Sequence, residues 1–281
     1  SSDMDKTRLD GQVAIVTGGG GGIGRGIALA LAAKGANIVI AEIFPERCDE
    51  VAARVHALGA QAMPYQIDMM DSDAVRAMVA AADERFGRID ILVNNVGGVA
   101  GRPFLEQSER SWRKHIDINL VSMLAATHAA APIMIRGARG GAILNVASIE
   151  ASRAAPTFAV YAACKAGMVS FTQTMALELS HHNIRVNAIA PDHTISPGTM
   201  GNPPGPVDES AWVKRSPEEV DALNRAIPLL REGIAELNRE GREQLLASFE
   251  AVNTHFQALF TRLFNGGRAR LMLTDMENPL E

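Results

Sequence analysis

Short apolar runs alternate with amphipathic or alanine-rich stretches along the first two thirds of the chain. Val13-Ala14-Ile15-Val16 reads as a buried strand, and a glycine-rich stretch from Thr17 to Gly24 leads into an Ala/Leu-rich helix to Lys34. A second strand, Asn37 to Ala41, ends at Glu42. The pattern then predicts a helix over Pro45–Leu58, a strand over Met63–Ile67 and a helix over Asp71–Phe86. A fourth strand, Ile89–Val93, runs into Asn94-Asn95-Val96-Gly97. Ser108 to Arg136 reads as one long helix, with Pro132 marking a bend or its end. The apolar run Ala142–Ala147 stops at Ser148, a helix carrying Tyr161 extends to about Ser180, and Ile184–Ala190 is a sixth strand. Strands alternating with helices predict an α/β fold: a doubly wound parallel Rossmann sheet with helices on both faces.

The punctuation changes after the sixth strand. Gly198, Pro203, Pro204, Gly205 and Pro206 make Asp192–Pro217 a loop, placed at the carboxyl edge of the sheet to act as a substrate lid. Ser216-Pro217-Glu218-Glu219 reads as an N-cap opening another helix. Ligands of such sheets bind outside the carboxyl ends of the strands, and Gly18, Glu42, Asp68, Asn94, Ser148 and Pro191 all fall there.

Two of these places carry readable chemistry. A strand, a glycine loop and a helix N-terminus together cradle a phosphate, because backbone amides and the helix dipole face the anion. Five consecutive glycines, Gly18 to Gly22, satisfy almost any glycine pattern; the flanking strand and helix make the assignment. Glu42, about 20 residues on, is placed to accept from ribose hydroxyls and to repel a 2′-phosphate. With Ile43 after it and Gly21 in the loop, no neighbour in sequence offers that phosphate a cation, which favours NAD over NADP. Tyr161 and Lys165 are four apart and share one helical face. An ammonium beside a phenol favours phenolate and makes it a usable general base, while Ser148 is positioned to hold a substrate oxygen.

Composition narrows the classes. The chain has 281 residues, 47% hydrophobic and 21% charged, enough for one large α/β domain with a proper core, or one domain plus an appendage. A net charge of −5 gives no nucleic-acid footprint. Two cysteines make no disulfide framework and fit a reducing cytoplasm. Cys164 is read as a packing residue, the histidines show no convincing metal-ligand spacing, and no apolar run reaches the roughly 18 residues of a membrane span.

Taken together, Thr17-Gly18-x-x-x-Gly22-Ile23-Gly24, Asp68, Asn94-Asn95-Val96-Gly97, Asn119, Ser148, Tyr161, Lys165 and Arg185-Val186-Asn187 with Pro191 resemble the short-chain dehydrogenase/reductase family over residues 9 to about 233. The family usually has Ala at the place of Val96 and Gly at that of Asp192. The resemblance implies Tyr161 as acid/base, Ser148 orienting the substrate oxygen, and Lys165 holding the nicotinamide ribose and lowering the pKa of Tyr161. It also implies Asn119 holding a water that links Lys165 to solvent, Asp68 at the adenine, Asn94, Val96 and Gly97 lining the cofactor cleft, and Thr194 at the nicotinamide amide. The expected activity is hydride transfer between NAD and a secondary alcohol or ketone, by a homo-oligomer without nucleic-acid or membrane partners. Two alternatives stand beside it: an impaired dehydrogenase fold acting as a scaffold through its tail, and an NADP-linked 3-oxoacyl reductase.

The family pattern stops near Gly233, so residues 1–233 are expected to form the Rossmann domain and 234–281 a helical appendage in place of the seventh strand. Residues from about 234 to 281 resemble part of bacterial structural-maintenance-of-chromosomes ATPases, with 248–268 like their returning coiled coil entering the head and 275–281 continuing the likeness, without a P-loop Gly-Lys. Leu245, Phe249, Val252, Phe256, Leu259 and Leu263 form one apolar stripe. A helix from Arg242 to Phe264 would span roughly 34 Å, against about 17–20 Å for a strand, so the tail is expected to project and Arg268–Thr274 to stay unpaired with the sixth strand.

Overall fold

Val13–Thr17 (β1) is buried at all five positions, as expected of a parallel strand covered on both faces. It is the centre of a six-stranded sheet with Asn37–Glu42 (β2), Ala62–Gln66 (β3), Ile91–Asn94 (β4), Gly141–Val146 (β5) and Ile184–Ile189 (β6). Every pairing is parallel and the order is β3-β2-β1-β4-β5-β6. Two β-α-β halves therefore diverge from β1 and β4, and the crevice of this topology opens between them. The computed structural model describes residues 8–192, 194–198, 201, 204–207 and 254.

Strand alternation sorts the core into two layers. Val13, Ile15, Val39, Leu92 and Ile143 face Ser72–Phe86 (α3) and Ser122–Gly137 (α5), through Val75, Met78, Val79, Ala126, Ala130 and Met134. Ala14, Val16, Ile38, Ile40, Val93 and Val146 face Gly22–Ala33 (α1) and Pro45–Ala57 (α2), through Ala28, Ala32, Val51 and Val55. Met175 and Ala176 of Ala159–Glu178 (α6) pack on the first layer. One-residue alternation thus fixes which helix each strand residue meets. Asp71 caps α3 by accepting from the Asp73 and Ala74 N–H groups, and Gly87 ends it in the left-handed region at φ 69°.

The long helix differs from expectation in an instructive way. Pro132 lies inside α5 and neither ends nor begins an element. The irregular turn comes earlier: Glu109–Ile116 (α4) passes through a π-helical turn, Asp117–Val121, into α5. Ser122 N–H reaches Asp117 O, five residues back, while Asn119 Nδ2 donates to His115 O at 2.9 Å. The asparagine side chain takes over a carbonyl that the regular ladder would have used. The continuous helix Glu109–Gly137 is long and apolar enough to cross a membrane by length and composition. Half of that apolar window is buried, and Ala126, Ala130 and Met134 belong to the core layer just described. The expected domain boundary at 233/234, the N-cap at Ser216, the stripe Leu245–Leu263 and the segment Arg268–Thr274 lie outside the described residues.

Candidate active site

Thr17 builds the crevice. Its hydroxyl donates to Val93 O (3.2 Å) and accepts from the N–H groups of Asn95 (2.9 Å) and Val96 (3.1 Å). Asn95 Nδ2 returns a bond to Thr17 O at 2.9 Å. One buried hydroxyl thereby ties the glycine loop to the Asn94–Gly97 turn across the β1–β4 junction. Gly18 turns the chain at φ 63°, and a β-carbon at Gly24 would overlap the Gly18 carbonyl oxygen. Only glycine allows α1 to start this close to the loop. The first helical bond of α1 runs from Arg25 N–H to Gly21 O (3.1 Å), leaving the N–H groups of Gly22, Ile23 and Gly24 at the anion-facing end. The backbone thus fits a dinucleotide pyrophosphate.

Glu42 is where expected, buried at the end of β2, but its carboxylate is turned onto backbone. Oε2 accepts from Gly20 N–H at 3.2 Å, and Oε1 from Ile43 N–H at 2.9 Å and Phe44 N–H at 3.4 Å. Sequence reasoning missed Arg47. Its guanidinium lies over the Phe44 ring, 4.5 Å from the centroid, and its Nη1 is 3.8 Å from where a Gly21 β-carbon would stand. Arg47 is five residues beyond Glu42; the turn at Ile43–Phe44 and the start of α2 bring it back to the loop. The expectation that nothing cationic neighbours this end is therefore corrected by tertiary packing. Asp68, just past β3, is exposed and accepts from Met70 N–H at 2.9 Å.

Asn94 is buried beneath the crevice and donates from Nδ2 to Thr127 Oγ1 (3.1 Å) and Asn145 Oδ1 (2.9 Å). Asn145 passes the chain on to Thr172 Oγ1 at 2.8 Å. Asn119 is fully buried: its Oδ1 accepts from Gly98 N–H at 3.1 Å and its Nδ2 donates to Gly98 O at 2.8 Å. Gly97 stands between Asn119 and Lys165. A β-carbon there would lie 2.8 Å from Asn119 Oδ1 and 3.3 Å from Lys165 Nζ.

Ser148, Tyr161 and Lys165 lie together at the carboxyl edge of the sheet. Lys165 is buried on α6, with Nζ 5.7 Å from the Tyr161 ring centroid, and donates to Val146 O at 2.8 Å. Burial lowers its pKa from 10.5 to about 8. The Tyr161 phenol is pushed up from its ordinary value, chiefly by burial; a hydrogen bond with Ser148 opposes this and the Glu150 charge adds to it. The expected lowering of Tyr161 by Lys165 is not what this arrangement produces, because the amine is directed at a backbone carbonyl and desolvation of the half-buried phenol dominates. Glu150, two residues after Ser148, and its partner Arg153 are further charged groups that sequence reasoning missed; Arg153 donates to Glu150 from Nε (3.0 Å) and Nη2 (2.8 Å).

The segment after β6 closes the site. Pro191 O accepts from Ile149 N–H at 3.1 Å, and Thr194 Oγ1 donates to Asp192 O at 3.1 Å. Further along, Pro197 packs on Gly21 and Ser196 on Gly22, while Arg47 Nε donates to Gly205 O at 2.9 Å. The described part of the loop read as a substrate lid thus rests on the glycine loop, at the phosphate end.

A strand order that diverges at a glycine loop, with a Ser-Tyr-Lys cluster on the same edge, defines a Rossmann-type oxidoreductase architecture. The chain belongs to the short chain dehydrogenase family, whose model matches residues 12–203. It is 42% identical over 202 residues to the short chain dehydrogenase/reductase AstE of Aspergillus oryzae, covering 71% of this chain and 77% of that one. It is 35% identical over 192 residues to the 3-oxoacyl-[acyl-carrier-protein] reductase FabG of Thermotoga maritima, covering 68% and 78%. Among solved structures, carveol dehydrogenase of Mycobacterium avium in complex with NAD is similar, with a TM-score of 0.64, 34% identity and coverage of 66% of this chain and 72% of that one.

Proposed function

We propose that this chain is an NAD-dependent dehydrogenase that interconverts a secondary alcohol and its ketone, with Tyr161 as the acid/base. The convergence of Ser148, Tyr161 and Lys165 on one edge of the sheet carries the reading. Bound NAD supplies the hydride acceptor, or donor in reverse. Gly18 and the amides of Gly22, Ile23 and Gly24 would hold the pyrophosphate; Glu42 and Asp68 would hold the adenosine end. Asn94, Val96, Gly97, Pro191 and Thr194 would line the nicotinamide end. In oxidation Ser148 holds the substrate oxygen, and Tyr161 removes the hydroxyl proton as the C–H bond gives up its hydride; in reduction Tyr161 returns that proton. Lys165 would hold the nicotinamide ribose, and Asn119 would keep Gly98 and the proton exit in place.

The Glu42 carboxylate supports NAD through its repulsion of a 2′-phosphate. A second reading, an NADP-linked 3-oxoacyl reductase, draws support from Arg47 beside Gly21 and from the similarity to the Thermotoga maritima enzyme. The proposal includes a cytoplasmic homo-oligomer. Absorbance of reduced nicotinamide, read with NAD and NADP against a panel of secondary alcohols and ketones, tests the reading. Tyr161→Phe should lower turnover by about 10²–10⁴-fold while NAD still binds. Near-normal turnover in that variant would sink the assignment.

A further inference from the structure

The turn that follows Ser148 carries a charge pair that the proposed chemistry does not use. Ser148 Oγ accepts from Glu150 N–H at 3.3 Å, so the carboxylate of Glu150 leaves the chain two residues beyond the hydroxyl that meets Tyr161. Arg153 grips that carboxylate with two hydrogen bonds, and its Nη2 lies 3.5 Å from Asp192 Oδ1. Ile149 N–H bonds Pro191 O beside it, so backbone and side chains together fasten the Ser148 turn to the segment after β6.

We propose that Arg153 is a positioning residue of the proton-transfer site: by gripping Glu150 and reaching Asp192, it neutralises the carboxylates beside Ser148 and keeps their field off Tyr161. The inference rests on Tyr161 being the acid/base for its functional meaning, though not for its test. A carboxylate near a phenol disfavours phenolate, and a guanidinium paired with that carboxylate offsets its charge. Among the described residues the Glu150 charge raises the Tyr161 phenol, and Arg153 is the hydrogen-bonded counter-ion of Glu150, holding its carboxyl below the usual range.

Other ionisable groups stand on the elements around Tyr161. Lys165 lies on α6 itself; His115 and Asp117 lie on α4 and the π-helical turn; Arg185 lies on β6. His181 and His182 sit past the far end of α6. None of these belongs to the Glu150–Arg153–Asp192 cluster, so substitutions within the cluster leave them in place.

The chain has only two tyrosines, Tyr65 and Tyr161. The full-length protein, labelled with ¹³C at tyrosine Cζ and free of cofactor, therefore gives two resonances, assigned by Tyr161→Phe. Titration of each resonance against pH reads the phenol directly, without substrate. Glu150→Gln should move the Tyr161 midpoint to lower pH than in the native protein. Arg153→Gln should move it to higher pH, and Arg153→Lys should return it toward the native value. Tyr65 should stay put in all three, which also reports that the fold is intact. A Tyr161 midpoint that ignores both charge changes, or moves the same way in both, overturns the proposal, as does Arg153→Lys behaving like Arg153→Gln. If instead Tyr161→Phe keeps its turnover, the dehydrogenase reading falls while the titration result stands.

Discussion

Lys165 donates from Nζ to Val146 O at 2.8 Å, anchoring the one buried ammonium among the described residues to the last residue of β5. This contact joins the Asn145–Thr172 hydrogen bond in tying the α6 face to β5, at the edge where Ser148 emerges. Burial costs the ammonium its hydration, which is why its pKa falls to about 8.

That depression has a sign. Between about pH 8 and 10.5 the unfolded chain keeps a proton on Lys165 that the folded one has lost, so this residue makes stability rise with pH in that window. The whole window is worth roughly 3 kcal/mol at 1.36 kcal/mol per pKa unit. Cys48, raised by burial from 9.0 to about 11, works in the opposite direction from about pH 9 upward. Urea unfolding of the native protein and Lys165→Met should therefore show the native protein gaining on the variant as pH rises from about 7 to about 9. Parallel curves would mean that Lys165 is not buried as described.

Glu42 and Arg47 both flank the glycine loop, where the proposed adenosine end would lie. Glu42→Ala removes the acceptor of three backbone N–H groups and should cost about 2 kcal/mol of stability. It should also narrow the expected preference for NAD over NADP. Arg47→Ala should weaken NADP binding more than NAD binding. Calorimetry with both cofactors reads the outcome; equal losses for the two in Arg47→Ala would remove Arg47 from cofactor selection.

Two glycines of α1, two residues apart, should respond with opposite signs. A β-carbon at Gly24 would stand 2.5 Å from Asn95 Nδ2 and would overlap the Gly18 carbonyl oxygen. Gly24→Ala should therefore destabilise by about 1–3 kcal/mol and abolish dinucleotide binding. Gly26, also in α1, has open space around it, and Gly26→Ala should stabilise by about 0.4–1 kcal/mol. Thermal unfolding of the pair, with cofactor titration, checks both.

Asn119→Ala leaves Gly98 N–H and O without their partner and frees His115 O. We expect a loss of about 1–3 kcal/mol and a lower rate of turnover, because the Gly97–Gly98 turn beside Lys165 loses its brace. Hydrogen exchange at Gly98 should rise in the variant. An unchanged Gly98 amide would show that the turn holds itself.

The layered sheet was legible because its signals are local and repeated. Val13–Thr17 and Asn37–Glu42 announce themselves by apolar runs between turn residues, as strands buried on both faces must, while Ile184–Ile189 is legible from its alternation of apolar and polar positions. The same holds for the Tyr161–Lys165 spacing and for the glycine loop, where helical periodicity and missing side chains are properties of consecutive residues.

What tertiary structure decided lies between residues far apart in the chain. The π-helical turn at Asn119 was not legible, since a side-chain amide competing for a carbonyl leaves no trace in hydrophobic period. The direction of the Tyr161 shift followed from how deeply the phenol is covered, which spacing to Lys165 cannot report. Arg47 at Gly21, Arg153 between Glu150 and Asp192, and Pro197 on Gly21 each join separate loops at the carboxyl edge of the sheet. Sequence alone placed those loops on one edge through strand order. Which charges meet there depends on the path each loop takes across it, and that path is set by packing.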